Sequence, residues 1–349
     1  MIIPKQSVRN MRPYLPPTQG RGGKVRLDFN ENTVGCSPRV LAAVNQALTD
    51  ENVAMYPEYS EARAEIANFL GVDDDQLTLT NGTDEAIQLL VNTFFESGDE
   101  LVILSPSYAM YRFYAEVAGV RVTEVAYQIE DGLEFPLQSL TEKITNATRG
   151  VFIANPNNPS CRANSVNEVV TILEHSPQTI VLIDEAYVEF SQISVLPLLN
   201  RYPNLFVSRT FSKAFGMAGL RCGCLVSSAD NIAWARRAQS PYSVNAVAIT
   251  AARAAVGDIE FVANYVREVV NARQMVQDAL TRFGLRWFLS DGNFLLFDAG
   301  VRKQQILDQM KSAGILIRDR SHEIDGCVRV TIGTIDQMKL FITEMEKAI

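Results

Sequence analysis

Residues 179–187 read TIVLIDEAY. From Thr179 to Ile183 the run is almost wholly apolar, with no polar–apolar alternation. A strand with one wet face alternates, whereas a strand covered on both faces does not. The run therefore predicts an interior strand of a parallel sheet, ending at the carboxylates Asp184 and Glu185. Three more runs read the same way: LVIL (101–104), GVFIA (150–154) and NLFVS (204–208). Between them lie helical stripes. Ile87, Leu90, Val91, Phe94 and Phe95 follow the i, i+3, i+4, i+7, i+8 spacing of one helix face, and Gly98 is expected to end that helix. From Ser60 to Gly71, Ala62, Ile66, Phe69 and Leu70 share a second face.

This strand–helix alternation predicts an α/β fold, with a large domain over 48–245 built on a mostly parallel central sheet flanked by helices. After Pro241 the texture changes. A long helical pattern covers about 257–283, with Phe261, Tyr265, Val269, Ala272, Val276 and Phe283 near one stripe. NFLLFDA (293–299), a helix after Val301, and CVRVTIG (327–333) follow. These predict a smaller α+β domain over 246–349, to which the N-terminal arm, 1–47, is expected to contribute.

Composition narrows the function. The chain has 349 residues and a net charge of -8, with Lys and Arg dispersed and no basic tail. Nucleic acid is an improbable partner for such a surface. No apolar run approaches the roughly 20 residues that span a membrane. The opening MIIPKQSVRNMRPYLPP has no apolar core of a secretory signal. Five cysteines (Cys36, Cys161, Cys222, Cys224, Cys327) without a metal-type CxxC pair suggest a reducing cytoplasm, with Cys222 and Cys224 as core residues. Only His175 and His322 are present, neither beside a nucleophile, so Ser-His-Asp and multi-histidine metal chemistry are set aside.

The polar clusters sit just after the predicted strands. NPNNPSC (155–161) follows GVFIA, DEAY (184–187) ends TIVLI, and TFSK (210–213) follows NLFVS. Open parallel sheets bind ligands at the carboxyl ends of their strands, so Asn158, Asp184, Tyr187 and Lys213 are expected to converge on one crevice. A lysine in a dry pocket loses its proton more easily and can form an imine with an aldehyde. A buried aspartate needs a cationic or donor partner, which a pyridinium nitrogen supplies. A tyrosine hydroxyl and an asparagine amide can hold a phenolate oxygen. Pyridoxal 5'-phosphate (PLP) carries all three features. Its phosphate would need a cradle, and NGTDEA (81–86) opens a helix after LTLT, where free N–H groups and the positive dipole end face an anion. Gly82 allows close approach; Thr83, Thr210, Ser212 and Arg221 add hydroxyls and a fixed charge. Tyr108, after LVILSPS, is placed to stack on the ring.

Taken singly, each piece has an ordinary alternative: Lys213 a solvated lysine, Asp184-Glu185 a helix cap, NGT and Asn158-Pro159 turns, Arg221 a salt-bridge residue. GMAGL (216–220) lacks the GxGxxG of a dinucleotide site. Ordered along the chain after successive strands, the pieces are far more specific together.

The sequence resembles the fold-type I PLP-dependent aminotransferases and, within them, is similar to the histidinol-phosphate aminotransferases. The resemblance runs over nearly the whole chain: RPY (12–14), LDFNENTVG (27–35), MYPE (55–58), NGTDEAI (81–87), SPSYAMY (105–111), NPNNPS (155–160), DEAYVEF (184–190), RTFSKAFGMAGLRCG (209–223) and VRVTIGT (328–334). It implies that Lys213 holds PLP as the internal aldimine and shuttles the proton, and that Asp184 pairs with the ring nitrogen. Asn158 and Tyr187 hold the 3'-oxygen, Tyr108 stacks, and Gly82, Thr83, Asp84, Thr210, Ser212 and Arg221 surround the phosphate. Tyr56 would reach the phosphate of a neighbouring subunit in a homodimer. Arg329 would grip the anionic end of the substrate, with Tyr14 and Asn32 at the mouth. The implied reaction is ping-pong transamination of histidinol phosphate with 2-oxoglutarate in histidine biosynthesis, without a metal. Aromatic amino-acid transamination, threonine-phosphate decarboxylation and a non-catalytic regulator share parts of the pattern. The family usually has proline where Thr33 and Cys36 stand, and threonine-glycine where Ser160-Cys161 stand. These departures lie near the mouth or on a loop and remove no catalytic group.

Overall fold

The computed structural model describes residues 2–11, 13 and 18–349. Its strands are β1 (Val25–Arg26), β2 (Leu77–Thr80), β3 (Glu100–Ser105), β4 (Arg121–Ala126), β5 (Thr148–Ala154), β6 (Ile180–Asp184), β7 (Leu205–Thr210), β8 (Gly223–Val226), β9 (Phe294–Asp298), β10 (Ile315–Leu316), β11 (Arg318–Asp319) and β12 (Cys327–Thr331). Seven of them form the central sheet in the order β2-β8-β7-β6-β5-β3-β4. From β7 to β4 every neighbouring pair is parallel; β8 alone runs against its neighbours β7 and β2. The fold is α/β, and each predicted apolar run is one of its strands.

The absence of alternation in those runs has a direct structural cause. In β6, Val181 and Ile183 face one apolar layer, while Ile180 and Leu182 face the other. In β3, Val102 and Leu104 divide from Leu101 and Ile103 in the same way. Both faces of the sheet are covered, so every position is apolar. One layer is built on the helices Gly82–Phe94 and Ala109–Ala118. The other runs on into the C-terminal half through Val269, Val276, Leu296 and Val330. Truncating one of these side chains, for example Ile183→Ala, costs about 2–5 kcal/mol.

The remaining strands form two small sheets. β9, β12 and β11 are antiparallel, with β12 in the centre. β1 pairs in parallel with β10, and Thr331 N–H donates to the Leu27 carbonyl at 2.9 Å. These contacts bring the N-terminal arm against β12. The long helix Ile259–Arg282 packs on Ile335–Glu346, whose start is fixed by a Thr334/Gln337 capping box. The helix Ala246–Val256 packs on both Pro38–Ala47 and Ser60–Leu70. One expected terminus is corrected. The helix from Gly82 ends at Phe94, with Phe95 already extended, and Gly98 lies beyond it in the turn at φ +96°. Phe95 turns back against the sheet, where its ring meets Phe152 edge-on at 5.8 Å. That packing stops the helix before the glycine can.

Candidate active site

At the carboxyl ends of β2, β3, β5, β6 and β7 the chain encloses a cleft of about 800 Å³. Thr83, Asp84, Tyr108, Asn158, Asp184, Tyr187, Thr210, Ser212, Lys213, Arg221 and Arg329 all line it. The sheet explains the convergence. Asp184 is the last residue of β6, Thr210 the last of β7, and Asn158 follows β5.

Lys213 reaches into this cleft, and its Nζ donates to the Phe29 carbonyl at 3.1 Å. Burial, helped by the positive charge of Arg329, brings its pKa down to about 8. Asp184 is 3% exposed. Its Oδ2 accepts from the buried Tyr111 hydroxyl at 2.9 Å, while Oδ1 is buried with no hydrogen-bond partner among the described residues. Burial raises its pKa to about 6. A carboxylate oxygen without a donor is costly, and a cationic N–H in the cleft would relieve it.

The anion cradle is also assembled. Gly82 stands at φ +75°, and a Cβ there would run into the Arg221 guanidinium. The guanidinium donates to Ser212 Oγ at 3.3 Å, to the Ala218 carbonyl at 3.1 Å and to Asp84 Oδ2 at 3.2 Å. Thr210 and Ser212 bond to each other at 3.0 Å, and the Thr83 hydroxyl is buried without a partner among the described residues. Asp84 accepts at 2.7 Å from Tyr108, whose hydroxyl is held protonated by burial and by that carboxylate. The Asp84 side chain therefore orients Arg221 and Tyr108, since a carboxylate cannot itself hold a phosphate oxygen.

Tyr187 sits beside Lys213, the ammonium 5.7 Å from its ring centre. Burial lifts its pKa to about 12. Asn158 donates to its Oη at 3.4 Å. Arg329 is 4% exposed; it donates to Asn158 Oδ1 and to the Asp28 carbonyl, each at 2.6 Å, and burial, then Arg320, lowers its pKa to about 10. Its Nε is buried and unpaired among the described residues.

Two predicted residues fall outside this cleft. Asn32 is not part of the cleft lining: its amide donates to the Ala214 carbonyl at 2.9 Å and accepts from Val34 and Gly35 N–H, so it clamps two loops behind Lys213. Tyr56 projects from the surface, 76% exposed, stacked on Tyr242 at 4.2 Å. Tyr14 lies outside the described residues. The structure adds residues that the sequence left unassigned: Tyr111 beneath Asp184, Asn30 donating to Tyr187 at 3.1 Å, and a mouth of Arg21, Glu31, Arg318, Arg320, His322 and Glu323. Tyr111 and Asn30 lay within quoted motifs, but only tertiary packing shows what each touches.

Cys161 also takes an unexpected form. It holds φ +64° and keeps its side chain buried, where Sγ accepts from Ser290 Oγ at 3.1 Å. Its carbonyl accepts from Asp291 N–H at 2.8 Å. A Cβ on Gly292 would stand 2.7 Å from that sulfur.

A lysine of lowered pKa, a buried aspartate and an anion cradle at a helix start line one parallel-sheet cleft, a set that suits imine chemistry on a phosphorylated aldehyde. Residues 23–344 match the family described as aminotransferase class I and II, and the chain belongs to that family, an enzyme of fold type I. It is 34% identical to the histidinol-phosphate aminotransferase of Symbiobacterium thermophilum, over 99% of this chain and 98% of that one. Identity to the histidinol-phosphate aminotransferase of Thermococcus gammatolerans is 35%, covering 93% and 92%. The structure of histidinol-phosphate aminotransferase from Sinorhizobium meliloti in complex with pyridoxal-5'-phosphate matches at a TM-score of 0.85 and 25% identity, covering 93% of this chain and 90% of that one.

Proposed function

We propose that this aminotransferase uses PLP to move the amino group of histidinol phosphate to 2-oxoglutarate. The observation that carries the cofactor is the partnerless Asp184 Oδ1 in the cleft that also holds a depressed-pKa lysine and an anion cradle. The residues fit PLP: Lys213 for its aldehyde, Asp184 for its ring nitrogen, Tyr187 and Asn158 for its 3'-oxygen, Tyr108 for its ring face. Thr83, Thr210, Ser212, Arg221 and the first N–H groups of Gly82–Phe94 suit its phosphate. Bound PLP supplies an aldehyde for imine exchange and a ring that accepts electrons from the donor carbon.

The chain's own residues would do the rest. Lys213, partly neutral near pH 8, would hold the cofactor by its Nζ, and as a free amine the same nitrogen would take up and return the proton of the donor carbon. Asp184 would keep a proton on the ring nitrogen, and Tyr187 would donate to the ring oxygen. Arg329 and the mouth arginines Arg318 and Arg320 suit a doubly charged phosphate. The relatives' names supply the imidazole end.

A homodimer belongs to the same reading. Val53, Met55, Tyr56 and Tyr242 are all exposed, an apolar patch of the kind that a second subunit covers. Tyr56 would then reach the partner's phosphate cradle. A large cofactor-binding domain over 48–245 and a small domain over 246–349 with the N-terminal arm, and a cytoplasmic location for a chain with five free thiols, complete the proposal.

The test is a half-reaction. PLP-loaded protein is mixed separately with L-histidinol phosphate, phenylalanine, tyrosine and threonine phosphate, and the loss of the visible cofactor absorbance is followed. Fast loss with histidinol phosphate alone supports the proposal. Fast loss with the aromatic amino acids and little with histidinol phosphate moves the substrate to that class.

A further inference from the structure

The Tyr187 hydroxyl is approached by two amides. Asn30 Nδ2 donates to Oη at 3.1 Å and Asn158 Nδ2 at 3.4 Å. A side-chain amide can be turned over, exchanging its oxygen and nitrogen, unless its neighbours forbid it. Here β12 forbids it for both. Arg329 bonds to Asn158 Oδ1 at 2.6 Å, and a guanidinium only donates. Thr331 Oγ1 accepts from the Asn30 backbone N–H at 3.0 Å, which leaves its hydrogen for Asn30 Oδ1 at 3.2 Å. Residues 329 and 331 are two apart on one strand, so they face the same side. Together they fix both amide oxygens and turn both NH2 groups towards Tyr187.

A phenol oxygen has two lone pairs and one hydrogen. With both lone pairs taken by Asn30 and Asn158, the hydrogen must point away from them. We infer that Asn30 is a positioning residue that, with Asn158, aims the Tyr187 O–H into the cleft as a donor to the 3'-oxygen of bound PLP. This rests on the PLP reading above. Asn30 itself is 1% exposed and does not line the cleft, so it acts through Tyr187. Its placement is fixed at every group. The backbone holds φ +56°, a left-handed conformation that asparagine tolerates, and its carbonyl accepts from Asn293 Nδ2 at 3.1 Å.

The consequence is measurable. A hydrogen bond donated to the ring oxygen stabilises its negative charge most when the nearby Lys213 nitrogen carries no proton. Losing the bond therefore raises the pH at which that nitrogen deprotonates. Wild type, Asn30→Gly, Tyr187→Phe and the double variant would be loaded with PLP, and the visible absorbance titrated against pH. Glycine keeps the left-handed backbone while removing the amide. Asn30→Gly is expected to raise the midpoint by about half a pH unit, a ~3-fold change in proton affinity. Tyr187→Phe should raise it further, and adding Asn30→Gly to Tyr187→Phe should change nothing more.

An unchanged midpoint in Asn30→Gly, or the same shift with and without Tyr187, would overturn the inference. Should Asn30→Gly fail to fold by circular dichroism, Thr331→Val takes its place. It leaves Asn30 present but frees its amide to turn, so the midpoint should rise, and Thr331→Ser should restore it. A wild-type midpoint in Thr331→Val overturns the inference equally. A wild-type enzyme with no pH-dependent visible band would instead bring down the PLP reading on which it stands.

Discussion

Asp184→Asn should stabilise the protein stripped of cofactor while destroying its activity. The Asp184 carboxylate is held in a nearly dry site, where the Tyr111 hydroxyl donates to it but burial outweighs its hydrogen bonds, and its folded-state pKa is raised from 3.8 to about 6. The sign follows from linkage. A carboxyl whose pKa is higher in the folded than in the unfolded state favours folding while protonated, and that advantage is lost as pH rises from about 4 through about 6. Above that window the buried charge costs about 3 kcal/mol, at 1.36 kcal/mol per pKa unit. An asparagine keeps the shape, accepts from Tyr111 and carries no charge, and the neighbouring Ser208 hydroxyl can serve its amide as acceptor or donor. For a chain of this length, 3 kcal/mol corresponds to roughly 4 °C in the apparent melting temperature. The assay is thermal unfolding of both proteins without PLP from about pH 4 to about pH 8. The melting temperatures should coincide at the acid end and separate by about that amount, with the variant higher, at the alkaline end. Adding PLP should raise the wild-type value far more than the variant's, because only the carboxylate gains a cationic partner. A variant less stable than wild type at every pH would refute the reasoning, because Asp184 would then be well satisfied without a ligand.

Three further outcomes are expected. Gly82→Ala forces a Cβ into Arg221 at a left-handed backbone position, so PLP affinity measured by fluorescence titration should fall by at least ~10-fold, while far-UV dichroism stays unchanged. Arg329→Ala should raise the KM for the phosphorylated donor by ~10²-fold or more and leave PLP affinity within a few-fold, since Arg329 touches Asn158 but no part of the cradle. The rate at which cofactor-free enzyme captures added PLP should climb as pH passes through about 8, where Lys213 loses its proton, and should level off above it.

Much of this was legible in the sequence because its cause is local. IVLI (180–183) is apolar at every position because both faces of β6 are covered, and that pattern needs no knowledge of neighbours. Asp184, Tyr187 and Lys213 could be placed together because a parallel sheet puts its strand ends on one edge. The reversed direction of β8 could not be read, since GCLV has the same apolar texture as the parallel strands of the sheet. Nor could the pairing of β1 with β10, which joins Val25 to Ile315 with no local signature in either. In the NEN stretch, two asparagines have the same chemistry. Only the arrival of Thr331 and Ala214 from distant parts of the chain makes Asn30 a partner of Tyr187 and Asn32 a loop clamp.

Cys161 and Gly292 constrain each other's history. A side chain at a left-handed position costs about 1–2 kcal/mol relative to glycine. The sulfur of Cys161 fills the space that a Cβ on residue 292 would need. The two sites are 131 positions apart, yet they are coupled: with the sulfur at 161 in place, a Cβ at 292 requires something to shift. Gly292→Ala should therefore be more damaging beside Cys161 than beside Cys161→Gly, where only the Phe294 ring at 3.3 Å still presses on the new methyl, so one replacement on the loop that carries Asn158 bears on which replacements the rest of the chain can later accept.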